Sequence, residues 1–271
     1  MHLLYCDESN LEERPGDFLL YGGLAIDAAR SLDLSETIGG IRRDAGIDRS
    51  YQLKFSPAPE NLSHQEFIDV KQSVIQAAIE HGAKLLSYIV LHDIAKNPDK
   101  ARRNGINTIC YHFDCLLHRV GPPGLVLIDR FNDKGNKIDA HLKEKFSIGV
   151  TGMPYSSEMR LNKIVGFHYS TIGQSHFPSL IDVIIGSFRF AINAHTHQNE
   201  GHMNTAHKIL KTIAPLFFRE TEEEPVSEIG LLFSPKTVKS DKYREQYQAL
   251  KEFLEQAGIE TAQPITAEHR L

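Results

Sequence analysis

The chain has 271 residues, 41% of them hydrophobic and 24% charged, an ordinary globular composition with length for one large domain or two small ones. No uninterrupted apolar run reaches the roughly 20 residues of a membrane span, and the amino-terminal MHLLYCDES turns acidic too early for a secretory leader, so the cytoplasm is the expected compartment. Cys6, Cys110 and Cys115 are odd in number and lack CxxC spacing, which excludes a disulfide framework. The formal charge of -5 argues against holding nucleic acid by bulk electrostatics, although carboxylates that bind cations count against that total.

In chain order, His2 to Cys6 and Phe18 to Ile26 are apolar runs joined by LEERPGD, which predicts an opening β-hairpin. Ala28 to Asp44 has helical spacing broken by Gly39-Gly40. After Tyr51 to Ser56, a helix is predicted from a Ser63 N-cap, with Glu66 completing a capping box, to Gly82. Lys84 to Leu91 reads as a strand and Pro98 to Arg119 as a helix. Gly124 to Ile128 reads as a central strand covered on both faces, ending in Asp129. A helix over Asn136 to Phe146, a strand over Lys163 to Tyr169 and a strongly apolar helix over His176 to Ala194 follow. Helix Asn204 to Phe217, strand Glu228 to Phe233 and helix Ser240 to Gln256 complete the chain. The pattern predicts an α/β fold, a mixed sheet with an initial antiparallel hairpin flanked by helices, as one domain over 1–271. Residues 196–271 form an extension packed on it, which extends the sheet or makes a dimer surface.

Three acids stand where a structural role is hard to supply. Asp7 follows the first apolar strand, Asp129 ends the central one, and Asp182 interrupts SLIDVIIGSF. Burying a carboxylate costs several kcal/mol unless it is compensated. A hard divalent cation, Mg2+ or Mn2+, would compensate, and such ions take oxygen ligands from several distant elements. Two of them about 4 Å apart activate water and stabilise the leaving oxygen of a phosphodiester. A salt bridge from Asp182 to Arg189 or Arg160 is the structural alternative. Glu8 and Asp7 face opposite ways on an extended strand, which makes Asp7 the first choice. No Walker loop, GxSxG or cysteine-centred catalytic motif occurs.

LLYCDES, YQLKFS, VLIDR and STIGQSHFPSLIDVIIG, in that order, resemble the domain-of-unknown-function 3800 family, over roughly residues 3–195. The resemblance implies a ribonuclease-H-like fold and a metal-dependent nuclease of mobile-element or phage-defence settings. It places Asp7 and Glu8 in the first acidic motif, Lys54 in the segment that usually reads Glu-x-Lys, Asp129 on the fourth strand and Asp182 on the closing helix. Asp7, Asp129 and Asp182 would hold the metal, and Lys54 would bind phosphate or orient water. Gln52 stands where an acid is usual, Ser179 where the helix usually offers Gln, and Asn10 where Gly is common.

The resulting expectation is phosphodiester hydrolysis of RNA or DNA, with nucleic acid as partner, no membrane, and a homodimer as a further option. A catalytically inactive module that binds nucleic acid or a protein is the alternative, and a phosphatase acting on small nucleotides shares the site chemistry. His195, His197, His202 and His207, with Glu200, match no structural zinc spacing and fall where a polar loop is expected. His168 is a candidate proton carrier near Ser170. Arg42-Arg43, Lys100 with Arg102-Arg103, and Lys236 to Lys242 are candidate phosphate contacts.

Overall fold

The computed structural model describes residues 1–12, 14–95, 97–130, 137–147 and 161–268. Its strands are β1 (His2–Ser9), β2 (Phe18–Asp27), β3 (Lys84–Leu91), β4 (Gly124–Asp129), β5 (Ile164–Ser170) and β6 (Leu231–Ser234). They form one six-stranded mixed sheet in the order β5-β4-β1-β2-β3-β6. β2 runs antiparallel to β1 and β3, whereas β1, β4 and β5 are mutually parallel and β6 is parallel to β3. This is the arrangement expected of a ribonuclease-H-like sheet, with β6 added beside β3.

The helices are α1 (Ser31–Asp44), α2 (His64–Glu80), α3 (Pro98–Val120), α4 (Lys137–Ser147), α5 (His176–Thr196), α6 (Glu200–Ile213) and α7 (Asp241–Glu255). Because side chains alternate along a strand, the central sheet has two apolar faces. Leu4, Cys6, Leu19 and Tyr21 meet Ile106, Ile109 and Phe113 of α3 on one face. Tyr5, Leu20 and Leu24 meet Ile181, Ile184 and Phe188 of α5 on the other, where α1, α2, α6 and α7 complete the core. Among the described residues α5 is the one helix long and apolar enough to cross a membrane, but 78% of that stretch is buried inside the fold. It serves as the central core helix.

The capping box at the start of α2 is present, with the Ser63 side chain accepting from Glu66 N and the Glu66 side chain accepting from Ser63 N. Other segments depart from expectation. α1 continues through Gly39-Gly40, because Leu34, Ile38 and Arg42 form a buried stripe whose packing outweighs the glycines' low helix propensity. Residues 50–62 contain no strand. Arg42 fixes this segment instead, donating to the carbonyls of Asp48 and Tyr51, so it is a structural group and not a phosphate contact. The polar stretch expected as a long loop after α5 is mostly helical. Only residues 197–199 separate α5 from α6, which holds Ala206, Leu210 and Ile213 in the core. β1 runs on to Ser9, so Asp7 and Glu8 lie within a strand and do not follow it.

The carboxyl-terminal elements are tied into the same sheet. β6 pairs with β3, and the buried Gln263 side chain bonds both main-chain groups of Phe233, accepting from its N–H at 2.8 Å and donating to its carbonyl at 2.7 Å. Phe233 and Tyr247 of α7 belong to the core of the α5 face.

His112 of α3 is buried on the other side, and burial pushes its imidazole down to about 4. A hydrogen bond to the Ile229 backbone opposes this shift, and Lys236 adds to it. A histidine whose folded-state pKa is depressed leaves the unfolded chain binding more protons between the two values, so stability is lost as pH falls from 6.5 towards about 4. The loss amounts to about 3 kcal/mol at most. His112→Gln keeps a neutral donor and should flatten this part of the profile. Urea unfolding at neutral pH and near pH 4.5 would reveal it, and equal acid sensitivity in both proteins would rule His112 out as the cause.

Candidate functional site

The parallel register of β1 and β4 sets the site. Cys6 lies opposite Ile128, so the next residues, Asp7 and Asp129, are side by side on neighbouring strands, about 4.8 Å apart in the sheet. Cys6 and Ile128 both belong to the α3 face, so strand alternation turns Asp7 and Asp129 towards the α5 face. Asp7 is opposite Gly22 of β2, and a Cβ there would stand 2.2 Å from Ile185 Cδ1 of α5. The missing side chain lets α5 settle on the sheet and brings Asp182, one turn earlier, over the acids.

A second close approach positions the segment before α2. A Cβ at Gly186 would stand 2.5 Å from the Cβ and Cγ of Phe55. The Phe55 N–H donates to Asp182 Oδ2 at 2.6 Å, and Lys71 Nζ lies over the Phe55 ring, 4.4 Å from its centroid. Phe55 thereby fixes the neighbouring Lys54 beside Asp182 and Asp129, whose acidities its charge increases. A cleft of about 120 Å³ is lined by Asp7, Asp182, Phe55, Ser56 and Arg189 among others.

The electrostatics are those of crowded acids. Burial pushes the Asp7 carboxyl well above the usual range, and the charges of Glu8, Asp182 and Asp129 push it further. The Glu8 N–H, which donates to Asp7 Oδ1 at 2.8 Å, offsets this only in part. Asp129 is raised by burial and by Asp182, against the backbone of Arg130 and the charge of Lys54. Asp182 is raised by burial despite the Phe55 N–H, Lys54 and Arg189. All three carboxyls stay shifted upward, so Lys54 and Arg189 do not offset the cost of ionising them.

Asp7, Asp129, Asp182 and Lys54 therefore come together from four separate segments. Glu8 borders the cleft, but its carboxylate is drawn into an ion pair with Arg102 of α3 at 3.4 Å. Burial raises Glu8 to about 7, with Arg102 lowering it and Asp129 raising it. Arg102 thus serves Glu8 and is removed from the candidate phosphate contacts. Gln52 lies against the turn at Gly173, outside the cleft lining, and Ser179 is buried one turn before Asp182. His168, opposite Leu127 on exposed β5, is on the sheet face of Asp129, which pairs with Ser170. Arg160, the alternative partner of Asp182, falls outside the described residues.

As the side chains stand, no set of three or more His, Cys, Asp or Glu among the described residues forms a ready metal cage. One oxygen of Asp7 and one of Asp182 are turned to backbone N–H groups, which leaves each carboxylate a second oxygen. The histidines after α5 do not gather either. His195 stacks on Phe253 at 4.4 Å, His207 meets the same ring at 4.9 Å, His202 packs on Phe190, and His197 pairs with Asp17 at 2.6 Å.

Sequence patterns did not single out Phe55, Gly22 or Gly186, which bring the acids to one place. The only signal was the position of Gly186 one turn after Asp182. Neither the family models nor the curated proteins yield a match to this chain.

Proposed function

We propose that the chain hydrolyses phosphodiester bonds of nucleic acid, with Mg2+ or Mn2+ held by Asp7, Asp129 and Asp182. The observation that carries this reading is the meeting of three carboxylates from β1, β4 and α5 on one sheet face, all held above their ordinary acidity. The donor set suits the ion: all three ligands are hard oxygens, and the protein's own cations leave their charge under-compensated. A bound ion would supply Lewis acidity towards a phosphate oxygen.

The chain's residues do the rest. Lys54 and Arg189 border the acids and attract the phosphate as point charges. Asp182 has a second task, because its bond to the Phe55 N–H keeps Lys54 in place. His168 shares the sheet face of Asp129 and is the candidate for moving a proton. Glu8 acts as a positioning residue that anchors the end of β1 through Arg102. The cleft, at about 120 Å³, has room for ions and water but not for a nucleotide, so a substrate would lie across its mouth.

Incubation of the purified chain with labelled RNA, DNA and RNA–DNA hybrid, with and without manganese, tests the reading. Cleavage of at least one substrate only with manganese is expected, and intact substrate in every arm would overturn it. A second reading, an inert module that binds nucleic acid, is favoured by the lack of a ready cage among the described residues. It calls for retention of nucleic acid without metal and without cleavage.

A further inference from the structure

A separate cavity of about 480 Å³ lies where the end of α5, the start of α6 and the exposed side of α7 meet. It is distinct from the acid cleft, since His195 in its wall is thirteen residues along α5 from Asp182, roughly 20 Å of helix. Its size lies within the range of small-molecule pockets and is four times that of the cleft.

Its walls carry unusual polarity. Thr196 Oγ1 and Gln246 Oε1, from α5 and α7, both line the cavity, and both are buried without a hydrogen-bond partner. Leaving such atoms unpaired is costly, so the site is built to accept hydrogen bonds from something inside it. Glu200 adds a carboxylate, which can only accept when ionised, and no lysine, arginine or second acid joins the lining among the described residues. The wall thus offers acceptors in excess.

The shape preference comes from His195. One face of its ring is taken by Phe253, nearly parallel at 12°, so the other face or its edge is left for the cavity. Burial, and then the neighbouring His207, lowers its pKa, which keeps the ring neutral and free of repulsion towards a cation. Phe18 and Met203 supply apolar surface alongside it.

We propose that this cavity binds a planar, N–H-rich group, the chemistry shared by guanidinium compounds and the Watson–Crick edge of guanine. Glu200 pairs with its paired N–H donors, Gln246 and Thr196 take the remaining ones, and His195 covers its face. The assignment does not depend on nuclease activity.

Calorimetric titration of the full chain with arginine, agmatine, guanosine and guanosine monophosphate tests it, with adenosine and lysine as controls. Saturable one-to-one binding is expected for the guanidinium pair or the guanine pair, with the controls silent. Glu200→Gln and Gln246→Leu should each weaken it by about tenfold or more. Ala249→Phe, which fills the cavity from an exposed position, should abolish it and gives a variant whose folding does not depend on a buried polar group. No binding by any probe at millimolar concentration, or binding indifferent to all three variants, overturns the proposal. So does a crystal structure grown with the probes in which water alone satisfies Thr196 and Gln246.

Discussion

Asp7→Asn should make the metal-free protein more heat-stable while removing its manganese-dependent cleavage. The two effects share one cause. Asp7 is the acid most strongly raised, by burial first and then by Glu8, Asp182 and Asp129, so its ionised form is a liability to the fold at neutral pH. The sign follows from linkage: a carboxyl raised in the folded state costs stability above its unfolded pKa, and that cost is relieved as pH falls. Asparagine has nearly the same shape, keeps an acceptor for the Glu8 N–H, and carries no charge. The gain should therefore be largest at neutral to alkaline pH and vanish in acid, with about 2–4 °C in melting temperature for each kcal/mol. Replacing a direct ligand should lower cleavage on the order of 100-fold or more. Melting curves from pH 4 to 8, without metal, alongside the cleavage assay provide the measurement. A variant that melts lower at every pH and cleaves normally would show that Asp7 is an ordinary structural acid.

Gly186→Ala should damage the site from behind. The added carbon would stand 2.5 Å from Phe55 Cβ, far inside the roughly 3.5 Å of a relaxed carbon contact. Phe55 Cβ is attached directly to the backbone, so no rotamer change relieves the clash. Either α5 or residues 54–56 must retreat, and the 2.6 Å bond from Phe55 N to Asp182 is the first casualty. The expected cost is about 1–3 kcal/mol, with cleavage falling because Lys54 is displaced while every candidate ligand is retained. Gly39→Ala in α1 is the matched control. Its new carbon meets Arg43 and His176 at an ordinary 3.6 Å, and exchanging a helical glycine for alanine should stabilise by about 0.5–1 kcal/mol. Equal effects at the two positions would remove the packing argument.

The parts of this molecule that were legible in its sequence are those governed by local rules. Ser63 and Glu66 state the start of α2 in four residues, and Lys84 to Leu91 marks β3 to the residue. Asp182 stood out because an acid among apolar residues has a cost that must be met somewhere. Periodicity reports which side of an element is covered, not how closely two elements approach. For that reason Gly22 and Gly186 gave no signal, although they determine where α5 lies. Polarity misled after α5, where HTHQNEG reads as a loop yet most of it belongs to two helices. Glu8 stands beside Asp7 in the motif, but strand alternation decides its partner, and Arg102 lies fifty turns of neither helix nor strand but ninety-four residues away.

Gln263 does for one end of the sheet what a further strand would otherwise do. Its amide offers Phe233 one donor and one acceptor, the same pair that a neighbouring peptide would present. β6 is thereby closed at its middle residue by a single side chain, and a second molecule has no template there on which to polymerise. The final residues of the chain act as a stopper against fibre growth, a safeguard that shortening the protein from its carboxyl end would remove.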